Sequence, residues 1–214
     1  MQIEKLKKDF DILHKKHGDK SLCSIYGAGC TKRPKAMFVF MNPTGKNVSA
    51  TLEWRGMRAP WLGSKPVWRF FYDLGFLSGA IFEKVHTMKS FEWNEDFSFS
   101  LYKDVAGRGG FITNLAKCTQ IDARPLPNNV FVDYLPSIFE EIATVLPQNI
   151  FTFGNQVSSV LLGKNLSVGD YKNKEKEILV IGKKQFDVYP TWYPVGQGTR
   201  NMPLAIARVK KILG

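Results

Sequence analysis

Asn42 has the residue type and the placing to do chemistry. It lies in "VFMNPTGKN" (Val39–Asn47), where an apolar, strand-like run from Ala36 to Met41 ends in a loop. A side-chain amide there carries donors and an acceptor, enough to hold a water or the polar edge of a substrate. The plainer reading is that Asn42-Pro43 only forms a turn. The same loop contains Gly45-Lys46, a pair that suggests a phosphate cradle. A P-loop needs G-x-x-x-x-G-K-[ST], with a glycine for the turn and a hydroxyl for magnesium. Here Phe40 stands at the first glycine position, and Asn47 follows Lys46. The cradle is therefore set aside. The loop is read as a ligand site at the carboxyl end of a buried strand, where open α/β sheets place ligands.

The surrounding elements have to bring such a loop into register with others. Ile3, Leu6, Phe10 and Leu13 fall at helical spacing, which predicts an amphipathic helix over 2–16. Buried strands are predicted at 36–41, in "GGFITNLAKC" and in "NIFTFG". Helices are predicted at 67–74, from Asn129 as a cap through Ile142 with Pro136 starting or kinking its main segment, and in "QVSSVLLG". "EILVIGKKQFDVYP" reads as a hairpin turning at Gly182. A final helix is predicted with Asn201 as cap and Pro203 in its first turn. Strands alternating with helices predict an α/β fold with a mostly parallel sheet and helices on both faces. No internal repeat or linker divides the chain, so 1–214 is read as one domain with an N-terminal helix within 1–20.

The net charge of +11 favours a polyanionic partner, through phosphate contacts and counterion release. Four basic residues and no acid fall in 196–214. No apolar run reaches the ~20 residues of a membrane span. The first residues mix both charge signs and lack an apolar signal core, so the expected compartment is the cytoplasm. Cys23, Cys30 and Cys118 are too few and too odd in number for a disulfide framework.

Several segments together, in order, resemble the uracil-DNA glycosylase superfamily. "FMNPTG" is similar to the first motif of its mismatch-specific and single-strand-selective branches, G-[IM]-N-P-G. "RGMRAPWLGSKPVWRFFYDLGF" resembles the R-P-F-x-G segment and following helix of the thermophilic, cluster-bearing branch. "FITNLAKCTQIDARPLPNN" resembles that branch's I-T-N-x-x-K-C segment, and "LPQNIFTFGNQVSSVLLG" its strand-Gly-helix segment. "YPTWYPVGQGTRNMP" takes the place of the second active-site motif. The resemblance runs from about Ala36 to the C-terminus.

This resemblance implies a three-layer α/β/α fold around a mostly parallel four-stranded sheet. It also implies hydrolysis of the N-glycosidic bond of uracil or another deaminated base in DNA, leaving an abasic site. The base must first be flipped out of the stack. By the same resemblance Asn42 positions the attacking water, Trp61 is the wall on which the base stacks, and Asn114 reads the pyrimidine edge. Met41 lines the base site. Lys46, Gln197 and Arg200 face DNA, and the loop holding the last two presses into the duplex. The partner is DNA, no metal is needed for bond breaking, and the protein acts as a monomer.

The departures are specific. Tyr193 stands where the family's histidine donates to the base oxygen that gains charge. Phe40 replaces the first glycine of the first motif, and no acid stands in the loop before Glu53. The cluster-bearing branch uses four cysteines, whereas Tyr26 and Tyr134 occupy the second and fourth places here. Three thiols do not build a four-thiolate cluster, so no iron–sulfur cofactor is expected. The expectation is a weak glycosylase, with a catalytically weakened DNA-binding protein as the alternative. A hydrolase of free nucleosides is the third possibility.

Overall fold

The computed structural model describes residues 2–214, apart from the side chains of residues 2–4 and 90. The Ile3 side chain, part of the predicted first helix, lies outside the described residues, as does Met1. In chain order the elements are α1 (Gln2–His17), β1 (Ala28–Gly29), β2 (Ala36–Phe40), α2 (Pro66–Asp73), α3 (Gly79–Thr87) and α4 (Glu95–Gly107). Then follow β3 (Gly110–Asn114), α5 (Asn128–Val145), β4 (Ile150–Phe153), α6 (Asn155–Leu162), β5 (Glu177–Ile181), β6 (Lys184–Thr191) and α7 (Met202–Leu213).

The strands form one sheet in the order β1-β3-β2-β4-β6-β5. The four inner strands are parallel, and the two edges run antiparallel to their neighbours. The sheet therefore has six strands, not the four expected. One addition is β5, the outer arm of the predicted hairpin. The other is β1, whose two residues are too short to leave a periodic signal.

Strand alternation divides the core. Ala36, Phe38 and Phe40 of β2 enter a cluster with residues of α2, α3, α4 and α7. Met37 and Val39 enter a second cluster with residues of α1, α5 and α6. On the first face Phe38 meets Phe70, Phe71 and Phe76 edge-on, at ring centroid distances of 6.4, 5.2 and 5.0 Å. Each buried aromatic of this kind contributes roughly 1.5–3 kcal/mol relative to exposure.

Three predicted helix features change. α5 begins at Asn128 behind Pro127, so Asn129 lies inside the helix and caps nothing. Pro136 also lies within α5, on its exposed side, where the carbonyl it leaves unpaired can reach water. Asn201 precedes α7 in helical backbone and makes no capping bond, because a 3-10 turn over Gly196–Asn201 runs straight into the helix. Two helices, α3 and α4, were not foreseen. Their caps are conventional: Ser78 accepts from Ile81 N–H, and Asn94 from Phe97 N–H.

Candidate functional site

The carboxyl ends of the four parallel strands share one edge, and two loops there are stitched together. Phe40 pairs with Asn114 across β2 and β3. The ladder continues past both strands: Leu115 N–H donates to Phe40 O at 2.7 Å and Ala116 N–H to Met41 O at 3.0 Å. Gln120 N–H donates to Pro43 O at 3.1 Å, and Gly45 N–H to Gln120 O at 2.7 Å. The loop after β2 is thus held by the segment after β3. Within it Asn47 is fully used: its amide donates to Ala59 O at 2.8 Å and accepts from Ser49 N–H at 3.0 Å and Ser49 Oγ at 2.8 Å. Asn42 is not. Its Nδ2 donates to Pro43 O at 3.1 Å, which leaves Oδ1 as a half-buried acceptor.

Trp61 is set by a different mechanism. Its φ of 64° is left-handed, a conformation rare for a bulky residue. Every residue leading to it is tied down. Arg58 donates to Thr51 O at 2.8 Å and Trp54 O at 3.1 Å. Ala59 O accepts from Asn47, Pro60 O accepts from the Tyr102 hydroxyl at 2.5 Å, and Trp61 O accepts from Trp68 Nε1 at 3.2 Å. A strained residue costs about 1–3 kcal/mol and persists only where its surroundings over-determine it. The ring so placed meets Phe40 edge-on at 5.1 Å, and its own Nε1 is buried without a partner.

Asn114 ends β3 at 2% exposure, and its side-chain Oδ1 has no partner. Leaving a buried acceptor unpaired costs about 1–3 kcal/mol, so the atom asks for a donor. Its backbone is anchored from the other face of the sheet. Lys117, fully buried, donates to Asn114 O at 2.8 Å, to Glu141 Oε2 at 2.9 Å and to Thr113 Oγ1. Burial pulls the Lys117 ammonium down from its ordinary pKa, and the Glu141 carboxylate opposes that pull.

Tyr193 follows β6 and packs perpendicular to Phe40 at 6.0 Å. Burial raises its phenol well above the usual tyrosine value, so it is a donor at neutral pH. Gly154 starts α6 beside this ring with a φ of 87°, the left-handed backbone that calls for glycine; a Cβ there would make only ordinary contact, 3.7 Å from Tyr193 Cδ2.

Asn114 pairs with Phe40 and belongs to the same face of the sheet, and Trp61 and Tyr193 pack against the core cluster on that face; Asn42 lies two residues beyond the end of β2. Phe40 is the hub: fully buried, it touches Trp61 and Tyr193 and stacks on Phe153 at 4.4 Å. Its ring fills the space that a glycine would leave open between Trp61 and Tyr193. Met41 goes the other way and packs against the α1/α5 cluster, apart from Trp61 and Tyr193. Lys46, Gln197 and Arg200 are exposed, the first in the loop after β2 and the others in the turn after β6. Arg208, one of the basic residues of 196–214, is instead 2% exposed and donates to Pro190 O at 2.9 Å and Glu175 O at 2.8 Å. Two open cavities lie elsewhere. One, of about 540 Å³, is lined by Thr51, Glu53, Trp54 and Trp93–Asp96; the other, of about 500 Å³, lies between α3 and α4.

Cys30 stands apart from the other two cysteines. Cys23 O accepts from Thr119 Oγ1 at 2.6 Å, beside the Cys118 backbone. Cys30 N–H bonds to Gly110 O at the opposite end of β3. Tyr26, close to Cys23, donates to Asp11 Oδ1 at 2.6 Å, and Tyr134 stands beside the buried Cys118 thiol without a well-formed hydrogen bond. Among the described residues no group of three or more His, Cys, Asp or Glu side chains is placed to hold a metal. No helix among them is long and apolar enough to cross a membrane.

Four positioning residues were given no role in the sequence reading: Asn47, Arg58, Tyr102 and Lys117. Lys117 and Arg58 did leave a signal, inside the segments that resemble I-T-N-x-x-K-C and R-P-F-x-G, and Tyr102 left none. A scan against protein-family models and a search of curated proteins match nothing to this chain.

Proposed function

We propose that this protein is a DNA N-glycosylase that releases uracil or a related deaminated base and leaves an abasic site. The observation that carries the reading is a pair of buried polar atoms without a partner, Asn114 Oδ1 and Trp61 Nε1, with Tyr193 packed on the same Phe40 ring as Trp61 and Asn42 in the loop that follows Phe40. The fold is read as three-layer α/β/α, with a helical cluster on each face of the sheet. The net charge of +11 and the exposed Lys46, Gln197 and Arg200 suit a DNA partner. A monomer working in the cytoplasm completes the proposal.

The everted base stacks on Trp61, and its N3–H donates to Asn114 Oδ1. Asn42 Oδ1 accepts from a water and aims its oxygen at C1′. The C1′–N1 electron pair leaves with the base as an anion while water adds at C1′ and its proton passes to solvent. Asn42 orients the water but is too weak a base to deprotonate it. The step therefore depends on a developed sugar cation and a stabilised leaving group. Tyr193 supplies a neutral donor to the base oxygen in place of histidine.

Phe40 favours a second reading, a DNA-binding protein with weakened catalysis, because its ring narrows the approach to Tyr193. Oligonucleotides carrying uracil, hypoxanthine or xanthine, incubated at enzyme excess and then treated with alkali, separate the two. Strand scission is expected for at least one base. Salt-sensitive binding with no scission would replace the first reading by the second.

A further inference from the structure

A duplex closes over the gap left by an everted base unless something fills it, and an apolar side chain inserted between base steps can do so. Between Tyr193 and α7 no apolar side chain is exposed: Val195 is 4% exposed and belongs to the core, while Gln197, Thr199 and Arg200 are exposed. Leu204, 50% exposed, belongs to the first turn of α7.

The segment after β3 differs. Ile121 is 64% exposed. An exposed isoleucine alone is ordinary; its place gives it meaning. It directly follows Gln120, whose backbone is bonded on both sides to the Asn42 loop, through Pro43 O and Gly45 N–H. Gly45 comes so close that an added Cβ would lie 3.2 Å from Ile121 O. Beyond Ile121 the chain turns tightly. Asp122 Oδ1 accepts from Arg124 N–H at 3.0 Å and from Arg124 Nε at 2.9 Å, and the arginine side chain stays 85% exposed. An apolar tip thus stands on a backbone fixed to the candidate site, with a cation beside it.

We propose that Ile121 is the wedge that enters duplex DNA and holds the base out, with Arg124 on a flanking phosphate. The proposal rests on the reading of this edge as a nucleobase site. Both residues are solvent-facing, so substitution spares the fold. The probe is a uracil-containing duplex with 2-aminopurine next to the uracil, whose fluorescence rises when its stack is opened. Binding of the unaltered protein brightens the probe. Ile121→Ala abolishes most of the rise, Ile121→Leu keeps it, and Val180→Ala, an exposed apolar control on β5, keeps it too. In parallel, Ile121→Ala slows base release from duplex by about tenfold or more and from single strand by no more than about twofold. Equal brightening by Ile121→Ala, no brightening by the unaltered protein, or equal losses on both substrates would overturn the wedge. Brightening that depends on Ile121 without base release from either strand would keep the wedge and remove the glycosylase reading.

Discussion

The two ends of the parallel sheet treat their amides differently. At the amino end, Asn149 Nδ2 donates to Lys35 O at 2.9 Å and Gln148 N–H to Pro34 O at 2.9 Å, tying the entry of β4 to that of β2. At the carboxyl end, Asn114 buries an oxygen with nothing to accept, and Asn42 is half-buried with its Nδ2 bonded only to Pro43 O. Asn47, at the same end, is fully bonded, so the unspent amide atoms are particular to Asn114 and Asn42.

The contrast is broken first by exchanging function for stability. Asn42→Ala should slow base release about 100-fold while DNA affinity changes by no more than about twofold, because misplacing a reactant costs that much without touching phosphate contacts. Single-turnover rates and binding titrations measure the two quantities. An unchanged rate would remove Asn42 from the chemistry. Tyr193→Phe keeps the ring against Phe40 and deletes the donor, so it should cost about tenfold to 100-fold in turnover and little in substrate affinity. At the amino end, Asn149→Ala should leave turnover intact and lower stability by about 1 kcal/mol in denaturant unfolding.

The smallest effect is a pH dependence. Burial raises the phenols of Tyr26, Tyr102, Tyr134 and Tyr193 above the usual value of 10.0. Their unfolded counterparts lose protons near 10, while the folded forms keep them. The stabilisation is therefore whole below that pH and is lost as pH rises toward the folded values. Unfolding midpoints should stay level from pH 8 to 9.5 and fall above 10. A flat profile to pH 11 would contradict the burial of these rings.

Much of this was legible because it is local. Ala36–Phe40 is apolar throughout, as a strand covered on both faces must be. The ends of α3 and α4 carried ordinary capping signals that the apolar pattern overshadowed. Trp61 was chosen as a stacking wall, but its left-handed backbone had no trace in the sequence. That geometry is imposed by Asn47, Tyr102 and Trp68, which come from three separate segments. Arg208 counted only as one of four basic residues in 196–214, because nothing local says that its guanidinium closes the loop at 173–175. Phe40 was seen as a lost glycine, and only packing revealed that it joins Trp61 and Tyr193 to the aromatic cluster.

The central claim is that the unspent polar atoms at the carboxyl edge receive a nucleobase. Side-chain amide and indole NMR signals, followed as free uracil is added, test it with no dependence on turnover. Signals of Asn42, Asn114 and Trp61 should shift together and saturate, while those of Asn47 and Asn149 stay fixed. Shifts confined to Asn149, or none at Asn114 with uracil in large excess, would contradict it.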